Sequence, residues 1–173
     1  MYTLGLDVQA GTRPMAKKTK DSMTPRIVNR AARHKFAILE TIEVGIVLLG
    51  SEVKSIRHGQ ASLAEGYARV EPEDMGLYLY GVHVAPYSHA GPAGHPPLRR
   101  RQLLAHKREI NRLLDQTTAK GTTLIPLAMY FKRGMVKVEL GVAVGKQHHD
   151  KRQDIKTREA DREIRRGMTR KVI

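Results

Sequence analysis

The stretch FAILETIEVGIVLLGSEVKSIRHG, residues 36–59, decides the fold. Its even positions are apolar from Phe36 to Leu48, as Phe36, Ile38, Ile42, Val44, Ile46 and Leu48, with Glu40 the exception. A period of two over thirteen residues describes one long half-buried strand rather than a helix. Gly45 has no side chain and relieves the sharp bend that a barrel strand needs. At Ser51 the rhythm changes, and Glu-Val-Lys-Ser-Ile-Arg-His fits two helical turns. Ser51 is the expected N-cap, Glu52 suits the positive end of the helix dipole, and Gly59 suits the stop. A coiled strand feeding a short plugging helix is the seed of a small closed β-barrel.

Working outward, residues 1–25 carry Pro14, Pro25 and KKTK without a periodic apolar face, which predicts a disordered extension. Within it, Met15-Ala16-Lys17-Lys18 reads as a second possible start. A basic segment, Arg26 to Lys35, leads into the strand. Beyond the short helix, Gly66–Glu71 and Leu77–Val84 alternate as strands around PEDMG, with Tyr78, Tyr80, Val82 and Val84 on one face. APYSHAGPAGHPP then reads as an irregular loop. Arg99 to Gln116 reads as a basic helix with an apolar stripe of Leu103, Leu104, Ile110, Leu113 and Leu114. Leu124–Phe131 and Met135–Val144 form a second hairpin around KRG, and Pro126 belongs at an edge or a bulge. The expected architecture is mainly β: a small antiparallel OB-like barrel with a short and a longer helix, spanning residues 26–145. Residues 146–173 form a basic tail with almost no apolar face, helical only on a partner.

Charge narrows the function. The net charge is +14, and it is concentrated: residues 1–35 hold eight Lys/Arg against two acids, residues 99–112 six against one, and residues 146–173 ten against five. Three such clusters call for a polyanion, and nucleic acid is the common one. Cysteine is absent, which excludes disulfides, thiolate zinc sites and a cysteine nucleophile and suits a reducing cytosol. No run approaches the ~18 apolar residues of a membrane span, and MYTLGLDVQAG lacks the basic and apolar regions of a signal peptide.

Eight histidines invite a metal reading, but His83, His89 and His95 recur at a spacing that no helical or hairpin ligand pair uses. His148-His149-Asp150 sits in a basic tail where phosphate contact is the better reading. GxSxG, Walker and HExxH motifs are absent, and the acids are too scattered for a metal-dependent nuclease. The residues therefore describe a binding protein with no metal and no cofactor, not an enzyme. A barrel with exposed Tyr and basic side chains stacks on unpaired bases and grips backbone, with Tyr87 a candidate platform or a buried ring.

Six ordered motifs go further: Asn29-Arg-Ala-Ala-Arg-His34, Gly50-Ser-Glu-Val-Lys-Ser-Ile-Arg57, His83-Val-Ala-Pro-Tyr87, Arg99 to Ile110, Gly121-Thr-Thr-Leu-Ile-Pro-Leu127, and Gly145 to Arg152. Together, from about Asn29 to Arg166, they resemble the small protein B family, the SsrA-binding proteins. The resemblance implies a barrel that binds the tRNA-like part of transfer-messenger RNA. It also implies delivery, with elongation factor Tu, to ribosomes stalled on messages without a stop codon. There the tail would enter the empty message channel as a helix. The family's RNA-contacting Asn and Glu fall on Asn29 and Glu52, and its decoding-centre His falls on His34. Its tail motif falls on Asp150, Lys151 and Arg152. The expected RNA-binding set is Asn29, Arg30, Arg33, Glu52, Lys54, Arg57, Arg99, Arg101 and Lys146, with tail contacts from Lys156, Arg158, Arg162 and Arg165. Gln102, Val144 and Gln147 stand where the family is often basic, so local phosphate contacts are fewer. Glu52 has two compatible uses, pairing with Lys54 and Arg57 or accepting from a base edge. A monomeric cytoplasmic RNA-delivery factor is the leading reading. A ribosomal or ribosome-assembly protein bound to folded rRNA is the alternative.

Overall fold

The computed structural model describes residues 24–89, 94–118 and 121–147, together with 163, 164 and 166. The chain runs β1 (Ile27–Val28), α1 (Ala32–Lys35), β2 (Phe36–Ile46), α2 (Gly50–Arg57), β3 (Ala61–Ser62), β4 (Tyr67–Glu71), β5 (Gly76–Tyr80) and β6 (His83–Val84). It continues with β7 (Arg101–Leu104), α3 (Lys107–Thr118), β8 (Thr122–Lys132) and β9 (Met135–Gly145). Strand order β1-β8-β4-β5-β7-β2-β9, with β8 also paired to β9, closes an antiparallel ring onto which β1 is added. This is the small OB-like barrel that the alternation predicts. Within this one closed sheet, β2 pairs with β9 from Phe36↔Gly145 to Gly45↔Lys137 and with β7 at Gly45 and Ile46.

The even rhythm of β2 serves two cores rather than one. The pairing with β9 shifts between Ile38 and Glu40, so exposed Leu39 is an extra residue and the strand changes which face it buries. Ile42, Val44 and Ile46 join the barrel interior with Leu77, Leu79, Leu103, Leu124, Met129 and Leu140. Phe36 and Ile38 pack in a second cluster with Ala32, Ile125, Leu127 and Ala143, under α1. The second shift lies between Pro126 and Ala128 on β8, which bears out the bulge expected at Pro126. Gly141 lets the second cluster close, since a Cβ there would stand 3.0 Å from Leu127 and 3.2 Å from Ile38. Each fully buried Leu, Ile or Val contributes on the order of 1.5–3 kcal/mol, so both clusters matter to stability.

Several local expectations need correction. Arg99 to Gln116 is not one helix: Arg101–Leu104 is β7, whose Arg101 and Leu103 point inward while Gln102 and Leu104 point out, and α3 begins only at Lys107. Tyr78 and Tyr80 do not share a face with Val82 and Val84. Gly81, at φ +66°, ends the alternation, so both valines turn into the core while the tyrosines stay on the outer face. The basic segment that leads into β2 carries β1 and α1. Ser51 is not the N-cap of α2; Leu49 holds that position, and Glu52 reaches back to accept its backbone N–H at 2.8 Å. Gly59 does end the helix, at φ +74°. Among the described residues no helix is long and apolar enough to cross a membrane.

Candidate nucleic-acid interface

The sharpest electrostatic feature lies beneath the surface. Glu52, on the first turn of α2, and Arg101, on β7, are both fully buried. The Arg101 Nε donates to one Glu52 oxygen at 2.8 Å. Its remaining nitrogens donate to the carbonyls of Val82 at 2.7 Å, Pro97 at 3.0 Å and Arg99 at 3.1 Å. Arg99 grips the same carboxylate with two donors, at 2.9 and 2.6 Å, while remaining partly exposed. Burial pushes the Glu52 carboxyl upward, but hydrogen bonds from Arg99 and Leu49 and the Arg101 charge outweigh it and hold it below its usual range. Burial lowers Arg101 despite the opposing pull of Glu52.

This arrangement revises the expected roles. Glu52 pairs with Arg99 and Arg101, not with Lys54 or Arg57, and its oxygens are occupied. Arg101, with every guanidinium nitrogen committed and no exposed surface, is not positioned to meet a phosphate. Asn29 is buried too: its amide donates to the Leu63 carbonyl at 2.9 Å and the Pro126 carbonyl at 3.1 Å, while its oxygen accepts from Ala32 N–H at 3.1 Å. It joins the N-terminal segment to the barrel. His95, read from sequence as a loop residue, is buried against α2. Its Nε2 lies 3.3 Å from the Val84 carbonyl, which can only accept, and its Nδ1 lies 2.9 Å from the Ser51 hydroxyl oxygen.

Among the described residues, two groups of cations stand at the two ends of β2. Arg30 and Arg33 are exposed and His34 half-buried around α1. Lys146 joins them: its backbone N–H donates to Lys35 at 3.0 Å and its Nζ to the Arg33 carbonyl at 3.0 Å. At the far end, α2 presents Lys54 over the Tyr87 ring at 4.9 Å and Arg57 over Phe131 at 5.4 Å, with Arg99 beside them. An extended strand of this length separates the groups by roughly 30 Å at ~3.3 Å per residue. Tyr87 is half-buried between Lys54, His58 and His89. Gln102 and Gln147 are exposed and Val144 half-buried. Asp150, Lys151, Arg152, Lys156, Arg158, Arg162 and Arg165 lie outside the described residues, as does most of residues 1–25. No group of three His or acids that could hold a metal occurs among the described residues.

The buried carboxylate predicts an acid limb of stability. A carboxyl held below its ordinary value of 4.5 contributes stability above that pH, and the contribution fades as pH falls through the folded value. Protonating Glu52 also strips Arg101 of its counter-ion. The denaturant midpoint should therefore fall steeply below about pH 4.5, and the fall should be shallower in Glu52→Gln. Equal acid limbs in the two proteins would contradict this assignment.

A family model for SmpB protein matches residues 26–170. The SsrA-binding protein of Geobacillus thermodenitrificans strain NG80-2 is 49% identical over 140 residues, covering 81% of this chain and 89% of its own. That of Mycolicibacterium vanbaalenii is 48% identical over 162 residues, covering 91% and 97%. A chain in a solved structure described as "tmRNA-SmpB: a journey to the center of the bacterial ribosome" matches with a TM-score of 0.61 at 48% identity, covering 72% of this chain and 86% of that one.

Proposed function

Because this chain belongs to the SmpB protein family, we propose that it binds the tRNA-like part of transfer-messenger RNA and delivers it to stalled ribosomes for trans-translation. The observation that carries the reading is the family match over residues 26–170, which takes in the barrel and most of the basic tail. The electrostatics support it, since a body with cations at both ends of one strand bridges two RNA surfaces. One end offers Arg30, Arg33, His34 and Lys146, the other Lys54, Arg57 and Arg99. We assign Asn29, Glu52 and Arg101 to holding these groups in place rather than to touching RNA. Residues 26–145 form the RNA-binding body. Residues 146–173, including Asp150, Lys151, Arg152, Lys156, Arg158, Arg162 and Arg165, are the part that enters the message channel. Elongation factor Tu meets the complex through the charged RNA, and the protein works in the cytoplasm as a monomer without turnover or cofactor.

Salt tests the electrostatic basis. With ~4–6 phosphate contacts, log K against log[salt] for the tRNA-like RNA should have a slope of about −3 to −5. Filter binding across a salt series measures it, and a slope near zero would exclude an interface built on these cations. Sequencing of RNA crosslinked to the protein in cells tests identity: a dominant tRNA-like species supports the reading, and bulk rRNA alone defeats it.

A further inference from the structure

Tyr67 opens β4 and stands 48% exposed between two recesses. The larger, about 330 Å³, lies toward α3, with Arg69, Leu114 and Thr118 in its wall. The smaller, about 210 Å³, lies toward α1, with Lys35, Phe36, Ala64 and Glu65 in its wall. Tyr67 and Thr123 line both. The Tyr67 ring stacks on its cross-strand partner Tyr80, with centroids 5.4 Å apart and planes 17° from parallel. Tyr80 is itself tied through its hydroxyl to Glu71. The Tyr67 ring is thus an oriented aromatic surface beside open space, with cations in the walls on either side.

We propose that Tyr67 is a stacking platform for one unpaired RNA base. The base enters the smaller recess, and Lys35 and Arg69 hold the flanking phosphates. The inference rests on the RNA-binding reading above and adds a contact that the two cationic groups do not supply. Size selects the ligand: the recess is below the ~300–1,000 Å³ of ordinary small-molecule sites, so it takes a group of ring size. Charge selects which part of the nucleotide enters. The Glu65 carboxylate repels phosphate and accepts from the amino edge of a base, so the base goes in and the backbone stays on the rim. Stacking on an aromatic ring is sequence-tolerant, because every base has a π-face.

The chain has no Trp, so Tyr67→Trp places a single reporter at the site. The full-length variant is titrated with an unstructured adenosine heptaribonucleotide, its abasic counterpart, transfer-messenger RNA and small ribosomal subunits. Emission should be quenched by the heptamer and not by the abasic strand. It should also be quenched by whichever of the two large RNAs supplies the unpaired base, and that arm identifies the source. In parallel, Tyr67→Ala should bind the heptamer roughly fivefold or more weakly, while Tyr67→Phe stays within twofold of the parent. Thermal melts of each variant establish folding. An unquenched Trp with both large RNAs overturns the proposal, whatever the heptamer does. So does Tyr67→Ala losing thermal stability with heptamer affinity unchanged, which is the signature of a purely structural Tyr67–Tyr80 pair. Filter binding of the tRNA-like RNA to the unaltered protein separates the two readings. Its failure sinks the proposed function, whereas tight binding with a silent Trp sinks only this inference.

Discussion

Glu52→Ala should lower the melting temperature by roughly 10–20 °C, the largest effect expected of any single substitution in the barrel. The substitution leaves the Arg101 guanidinium fully buried without its counter-ion. It also releases Arg99 and removes the acceptor for the Leu49 N–H. Breaking one side of a buried pair costs about 3–5 kcal/mol, because the abandoned charge keeps its desolvation penalty. Replacing both partners, as Glu52→Leu with Arg101→Met, should recover much of the loss, since neither charge then needs solvating. Below the melting range, RNA affinity of Glu52→Ala should fall only as far as Arg99 loses its position. Thermal unfolding of the three proteins checks the argument. A Glu52→Ala melting temperature within a degree or two of the parent would show that the pair is not what holds α2 to β7.

The second large effect should appear at the tail. A chain ending at Lys146 should keep its affinity for transfer-messenger RNA within a few fold while tagging of the nascent peptide is lost. Residues 146–173 hold ten Lys/Arg against five acids, and their apolar side chains are few. Ordering such a segment costs on the order of 1–2 kcal/mol per residue, which burial of Ile155, Ile164 and Met168 cannot offset. On the function proposed above, a channel lined by RNA phosphates would supply the difference through Lys151, Arg152, Arg158, Arg162 and Arg165. Acids at Asp150 and Asp154 and cations at Arg170 and Lys171 suit the two ends of a helix. A filter-binding titration beside a tagging assay on the same truncated protein makes the comparison. Parallel collapse of affinity and tagging would place the tail in the transfer-messenger RNA interface instead.

What the sequence disclosed of the fold was periodicity, and what it hid was pairing between distant residues. The alternation of β2 and of β9 was legible because their inward positions are apolar. β7 resembles the start of a helix in sequence because one of its two inward residues is Arg101, which no hydrophobic pattern marks as buried. Leu103 and Leu104 then fit either period. The unbroken even rhythm of β2 concealed the change of face, since an extra residue at Leu39 preserves the sequence parity while reversing the side. Pro126 announced its bulge because it cannot donate to a ladder. At the site, the cationic clusters were plain from composition. The burial of Asn29, Glu52 and Arg101 was not, for Leu63 and Pro126 lie 34 and 97 residues from Asn29, and Arg101 lies 49 residues from Glu52. Tyr67 gave one weak signal, an aromatic beginning a predicted strand, and only its register opposite Tyr80 and the recesses beside it give it a role.

The ring closes late in synthesis. β2 ends at Ile46, but its main partner β9 begins only at Met135. A ribosome adding ~5–20 residues per second leaves that strand waiting roughly 4–18 s for its neighbour. During the wait β2 has an open edge and a row of Ile and Val side chains, the combination that invites pairing with another nascent chain. Glu40 and Glu43, which later bind Arg112, Gln116 and Lys132, interrupt that edge with negative charge. The same two carboxylates thus guard the strand against premature association and afterwards fasten it to α3 and β8.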